Sequence, residues 1–170
     1  MKPRPASLLR YTAELLDALH PLADRLDGNT INATDPDLKA FVERGGKLLL
    51  YHGWGDVAIA PRSTVTYYDS VVKTVGALRA QNSVRLFMVP GMGHGQGLGD
   101  GPSMFDPLAA LEDWVEHGKA PDQIIASRIT SGSPGRTRPL CPYPQVAAYK
   151  GTGSTDAGEN YACKTPEKKP

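Results

Sequence analysis

Two stretches of the chain are apolar almost without interruption, Lys47 to His52 (KLLLYH) and Val84 to Val89 (VRLFMV). Neither shows the alternation of a half-solvated strand, so each reads as a strand covered on both faces, the habit of parallel sheets. Elsewhere the apolar positions recur at three and four residues, the spacing of one helix face. Val65, Tyr68, Val71, Val72 and Val75 predict a helix from Pro61 to about Leu78, and Leu108, Leu111, Trp114 and Val115 predict another within Phe105 to His117. Residues 7–26 carry Leu8, Leu9, Leu15, Leu16, Leu19, Leu22 and Leu26 near the same spacing; Pro21 is expected to break or kink that run, and Gly28 with Asn29 to stop it. Thr34 is the expected cap of a further helix with Leu38, Phe41 and Val42 on one face, ended by Gly45 and Gly46. Ile124 to Ile129 supplies one more short strand. The order strand, loop, helix, strand, loop, helix is that of an α/β domain with right-handed crossovers.

These signals divide the chain into an N-terminal helical segment at 1–30, a core at 31–129 and a tail at 130–170. The tail is rich in Pro, Gly, Ser, Thr and Lys, a composition that cannot build a core alone. A net charge of +1 gives no electrostatic reason to expect nucleic acid or an anionic membrane as partner. No apolar run approaches the roughly 20 residues that span a bilayer. No signal peptide is expected at the start either, because Leu8 and Leu9 are followed at once by Arg10 and leave no apolar h-region. The two cysteines, Cys141 and Cys163, both lie in the polar tail. They read as a disulfide stapling that tail, which implies an oxidising compartment, or as two unpaired surface thiols.

Candidate chemistry sits directly after the two apolar strands. GWGD (53–56) follows the first and GMGH (91–94) the second, so Asp56 and His94 lie beyond the carboxyl ends of neighbouring strands, where open α/β sheets collect reactive groups. A carboxylate there would accept a hydrogen bond from the imidazole, hold its tautomer and stabilise the imidazolium formed during acyl transfer. Neutral imidazole is a base of suitable strength near pH 7. Gly53 and Gly55 around Trp54, and Gly91, Gly93 and Gly95 around His94, allow tight turns and close approach to a substrate. Competing readings make Asp56 a turn aspartate ahead of Pro61, His94 a surface loop residue, and Trp54 either a pocket wall or a core aromatic. No metal is expected: His52, Asp56, His94 and Asp100 are near loops, but no pair of them lies on a predicted helix at the i, i+4 spacing of a zinc site and no cysteine joins them. His20 and His117 read as structural, the latter favourable against a helix C-terminus.

A serine nucleophile is harder to place. A G-x-S-x-G elbow needs a strand before the serine and a helix after it. The nearest string is SGSPG (131–135), in which Ser131 takes the first glycine's place and Pro134 leads into no amphipathic helix, so Ser133 reads as part of a solvated turn. Ser103, after the His94 loop, and Ser63, in the first helical turn after Asp56, are the other nearby hydroxyls, and none of the three is assigned.

Taken in order, NATDPDLKAFVERGGKLLLYHGWGD, VPGMGHG and RTRPLCPYPQVAAYKGTGSTD resemble the C-terminal part of the tannase and feruloyl esterase family of serine ester hydrolases, over roughly residues 32–163. The resemblance implies a partial α/β-hydrolase-like parallel sheet with flanking helices and a disulfide-stapled tail. Asp56 then matches the triad acid and His94 the triad base, and Cys141 pairs with Cys163; beside them, Trp54 and Gly93 are the expected substrate-binding residues. It further implies a carboxylic ester hydrolase without cofactor, a small-molecule ester as substrate, aromatic-acid esters included, and a secreted or periplasmic location. Two departures stand out. In that family a cysteine beside the base pairs with one beside the nucleophile, whereas Gly95 follows His94 here; and the family's nucleophile elbow and lid lie upstream of the matching motifs. Two further readings therefore stay open, a non-catalytic remnant serving as a binding or assembly module and one piece of a longer enzyme. A strand at 47–52 cut from a larger sheet would leave an open apolar edge, so a homo-oligomer covering that edge is expected.

Overall fold

The computed structural model describes residues 6–28, 30–130 and 133–167, and the chain divides after Asp35 into two compact units. The first holds one helix, α1 (Ala6–Asp27), which runs through Pro21 as a single element. Proline's fixed φ is itself helical, and its ring removes one backbone hydrogen bond without forcing the chain to stop. Asp27 closes the end, its carboxylate accepting from the Ile31 amide at 2.8 Å and the Asn32 amide at 2.9 Å.

In the second unit, β1 (Leu48–Gly53) and β2 (Val84–Val89) pair in parallel, Leu48 opposite Val84 through Gly53 opposite Val89. Successive side chains of a strand point to opposite faces. On one face Leu48, Leu50 and Val84 pack with Val71 and Val75 of α3 (Pro61–Val75) and with Leu38 and Val42. On the other, Leu49, Phe87 and Val89 pack with Met92, Ile124, Ala126 and Leu140, and with Ala110 of α5 (Pro107–His117). Cover on both faces is the physical reason these strands show no polar alternation.

Several boundaries differ from expectation. Thr34 caps nothing; its hydroxyl bonds the Asn32 carbonyl, and α2 is the five residues Lys39–Glu43, with Asp37 accepting from the Lys39 amide at 3.2 Å. The helix expected to reach Leu78 is two helices. Gly76, at φ 94°, ends α3, and α4 (Ala77–Ser83) restarts beyond it, a left-handed backbone that glycine adopts without steric cost. Asp106 caps α5 by accepting from the Ala109 amide at 3.0 Å, and Gly118 ends it.

The remaining pairs are antiparallel: β3 (Met92–Gly93) with β4 (Gly95–Gly99), β5 (Ile124–Thr130) with β6 (Ser133–Leu140), and β7 (Val146–Tyr149) with β8 (Tyr161–Lys164). Among the described residues parallel pairing is thus confined to β1 and β2. Ser133 opens β6, while Ser131 and Gly132 lie outside the described residues. The polar segment after Thr130 is built of strands, delivers Leu140 to the core, and has Cys141 bonded to Cys163. Among the described residues no helix is long and apolar enough to cross a membrane.

Candidate active site

The strict alternation of β1 decides where its last two residues point. His52 shares the face of Leu48 and Leu50 and is turned toward α3, where its Nδ1 lies 2.6 Å from Thr64 Oγ1. Gly53 takes the opposite face, where a Cβ would overlap the backbone carbonyls of Met92 and Gly93. The missing side chain lets the two loops touch. Trp54 then donates its amide to the Val89 carbonyl and Gly55 to the Met92 carbonyl, both at 2.9 Å, so the segment bearing the acid is bonded by its backbone to the segment bearing the base. Gly53→Ala is expected to cost about 1–3 kcal/mol by overpacking, read as a fall of several degrees in Tm; an unchanged Tm would mean that the two loops separate freely.

After Gly55 the chain turns, and Asp56 is held from both sides. Its Oδ1 accepts from the amides of Ala58 at 2.8 Å and Ile59 at 3.0 Å. Its Oδ2 meets His94 Nδ1 at 2.8 Å and His52 Nε2 at 3.0 Å. The side chain is only 4% exposed. Asp56 is thus bonded within its turn through one oxygen and to two histidines through the other. His94 stands at the tip between β3 and β4, 60% exposed. An ionised carboxylate only accepts, so the pattern assigns the proton of neutral His94 to Nδ1 and leaves the Nε2 lone pair free.

These donors hold the Asp56 carboxyl well below the usual carboxylate range. The Ile59 amide is the largest cause, burial opposes it, and His94, the Ala58 amide and His52 add to the lowering. A depressed folded value stabilises the protein in full above the ordinary carboxylate pKa near 4, and the contribution fades as pH falls below that value. Stability of the wild type should therefore drop more steeply than that of Asp56→Asn as pH falls below about 4. Urea titrations at several acid pH values measure this, and parallel slopes would rule it out.

The other candidates are placed elsewhere. Ser103 is buried, its Oγ accepting from the Gly97 amide at 3.2 Å, and Ser63 Oγ donates to the Ala60 carbonyl at 2.7 Å. Among the described residues no serine hydroxyl is hydrogen-bonded to His94. Asp100 is fully exposed and faces Arg128 at 3.6 Å, and His117 pairs with Asp113 at 3.0 Å. Among the described residues no group of three or more His, Cys, Asp and Glu is arranged to hold a metal ion. Trp54 is 44% exposed, hence not a core aromatic. Gly93 faces Gly95 across the β3–β4 turn, and a Cβ at Gly95 would meet nothing within 4 Å. The residue that sequence reasoning missed is His52, weighed only as a metal ligand. Its signal was its spacing of four from Asp56 across a strand end and a Gly-Trp-Gly turn.

Residues 8–164 match the sequence profile of the family described as tannase and feruloyl esterase. The chain is 49% identical over 140 residues to the mono(2-hydroxyethyl) terephthalate hydrolase of Piscinibacter sakaiensis, an overlap covering 79% of this chain and 22% of that protein. With feruloyl esterase B of Aspergillus niger it is 34% identical over 149 residues, 78% of this chain and 29% of the relative. The crystal structure of feruloyl esterase B from Aspergillus oryzae superposes with a TM-score of 0.76 at 29% identity, over 85% of this chain and 32% of that one. The chain thus spans less than a third of the length of these relatives. Sequence match and shared α/β architecture together show that the chain belongs to the tannase and feruloyl esterase family.

Proposed function

We propose that this chain supplies the acid and the base of a carboxylic ester hydrolase working by acyl transfer through a serine. The observation that carries the proposal is the 2.8 Å contact between His94 Nδ1 and Asp56 Oδ2, with the opposite ring nitrogen directed away from the acid. In the first half-reaction His94 Nε2 takes the serine hydroxyl proton as the oxygen attacks the ester carbonyl, then passes it to the departing alcohol. In the second, water loses its proton to the same nitrogen as it attacks the acyl-serine, and the imidazolium returns that proton to the serine oxygen as the acid leaves. Asp56 stays ionised throughout, facing the imidazolium each time it forms.

The names of two relatives refer to a terephthalate monoester and to feruloyl esters, both esters of aromatic acids. We carry that class to this chain. Trp54, half exposed beside the acid, offers an apolar face on which an aromatic acyl group can stack, and Gly93, directly before the base, is the second residue placed at the substrate. The Cys141–Cys163 bond fits an oxidising compartment, secreted or periplasmic. Turnover of a p-nitrophenyl acylate together with labelling by a fluorophosphonate supports the enzyme. A second reading, a binding or assembly module that keeps acid and base without chemistry, is favoured by the lack of any serine hydrogen-bonded to His94 among the described residues. A folded sample that neither hydrolyses the ester nor takes the label would decide for it.

A further inference from the structure

We propose that His52 is a positioning residue for the acid, backed by Thr64, and that it orients the Asp56 carboxylate before His94 engages it. The consequence for turnover rests on the ester-hydrolase reading above, while the hydrogen-bond chain itself is testable on this protein without any turnover.

The geometry gives the chain of bonds one direction. His52 Nε2 lies 3.0 Å from Asp56 Oδ2, and an ionised carboxylate can only accept, so Nε2 carries the proton. Nδ1 of the neutral ring is then bare, and the Thr64 hydroxyl, 2.6 Å away, is the group that donates to it. The sequence of donors runs from Thr64 O–H to His52 Nδ1, and from His52 Nε2–H to Asp56 Oδ2, where it meets His94 Nδ1–H arriving from the other loop. Thr64 stands in the first turn of α3 and His52 ends a strand packed against that helix, so this donor comes from rigid elements.

The contrast between the two histidines supports different roles. His52 is 12% exposed and held at both ring nitrogens, whereas His94 is 60% exposed and held at one. With the Ala58 and Ile59 amides on Oδ1 and His52 on Oδ2, the carboxylate plane is fixed by three donors that do not include the base. His94 meets an acceptor already aimed and already charged. Preorganisation of this kind matters because small misplacements of a catalytic group cost large factors in rate.

The test is a long-range proton–nitrogen correlation spectrum of the imidazoles in uniformly labelled protein at neutral pH. The expected result is a His52 ring with its proton on Nε2 and a bare Nδ1, and a His94 ring held mainly as the Nδ1–H form. Thr64→Val should turn His52 into a mixture of tautomers, and Thr64→Ser should restore the single form. His52→Leu should mix the tautomers of His94, and His52→Gln, whose amide can donate to the same oxygen, should keep them unmixed. In a preparation that hydrolyses ester, His52→Leu should lower kcat about tenfold or more with KM changed less than about twofold, and His52→Gln should recover most of it. A His52 ring protonated on Nδ1, or a His94 tautomer indifferent to His52→Leu and Thr64→Val alike, would overturn the assignment. Intact tautomers without any turnover would count against the ester-hydrolase reading and leave the role of His52 standing.

Discussion

Replacing His94 by Ala should lower kcat for a p-nitrophenyl ester by about 10⁴-fold or more, the scale on which removing the base of a serine triad acts. In the proposed reaction the loss is large because one nitrogen serves twice, first drawing the proton from the nucleophile and then from water. It should also be clean. His94 sits exposed at the tip of a two-residue strand pairing and makes no core contact, so truncation should move Tm by no more than a degree or two. Steady-state kinetics beside a thermal melt separates the two effects. Turnover within tenfold of wild type in a folded His94→Ala protein would place the base elsewhere.

The second large effect concerns the tail. Cys141→Ser with Cys163→Ser opens a covalent ring of sequence separation 22, and in the chain-entropy account closure of such a loop contributes about 3 kcal/mol. A second unit of this size should lose about 10 °C in Tm. Cys141 is buried next to Leu140 of the core, while Cys163 lies in β8 opposite Ala147, so the bond joins a core strand to the hairpin of β7 and β8. The contacts of β6 to the segment would then include the Thr137 amide to the Asp156 carbonyl at 2.8 Å, the Gly158 amide to Thr137 Oγ1 at 2.7 Å, Arg138 over the Tyr161 ring, and Arg136 Nε to the Asp156 carboxylate at 2.8 Å. Exposed ion pairs of that kind contribute little. Calorimetry of the double variant measures the difference, and a Tm shift under about 2 °C would show that strand pairing alone suffices.

What was legible in the sequence follows from how strongly a single physical demand acts on each segment. β1 and β2 declared themselves because cover on both faces leaves no room for polar residues. The meeting of Asp56 with His94 was legible because loops after parallel strands converge, and in the parallel register both follow neighbouring strand ends. The break at Gly76 was overlooked because apolar spacing continues into Leu78, which the structure leaves exposed. β6 was hidden by its prolines and polar residues, and β7 and β8 by their length of four residues each; pairing and a covalent bond hold the last two in place. His52 escaped because its role depends on a partner carried by another element, which spacing within one segment does not reveal.

The backbone bonds between the two loops carry a consequence for evolution. Val89 and Met92 accept from Trp54 and Gly55 through main-chain atoms, so the approach of the two loops asks for glycine at position 53, while the aim of the Asp56 carboxylate rests on His52 and Thr64. The exposed Trp54 side chain takes no part in those bonds and can be exchanged without breaking them. Specificity in such a lineage is free to drift from one ester to another while the acid and base stay in step, which suits a family whose members are named for esters as different as feruloyl and terephthalate.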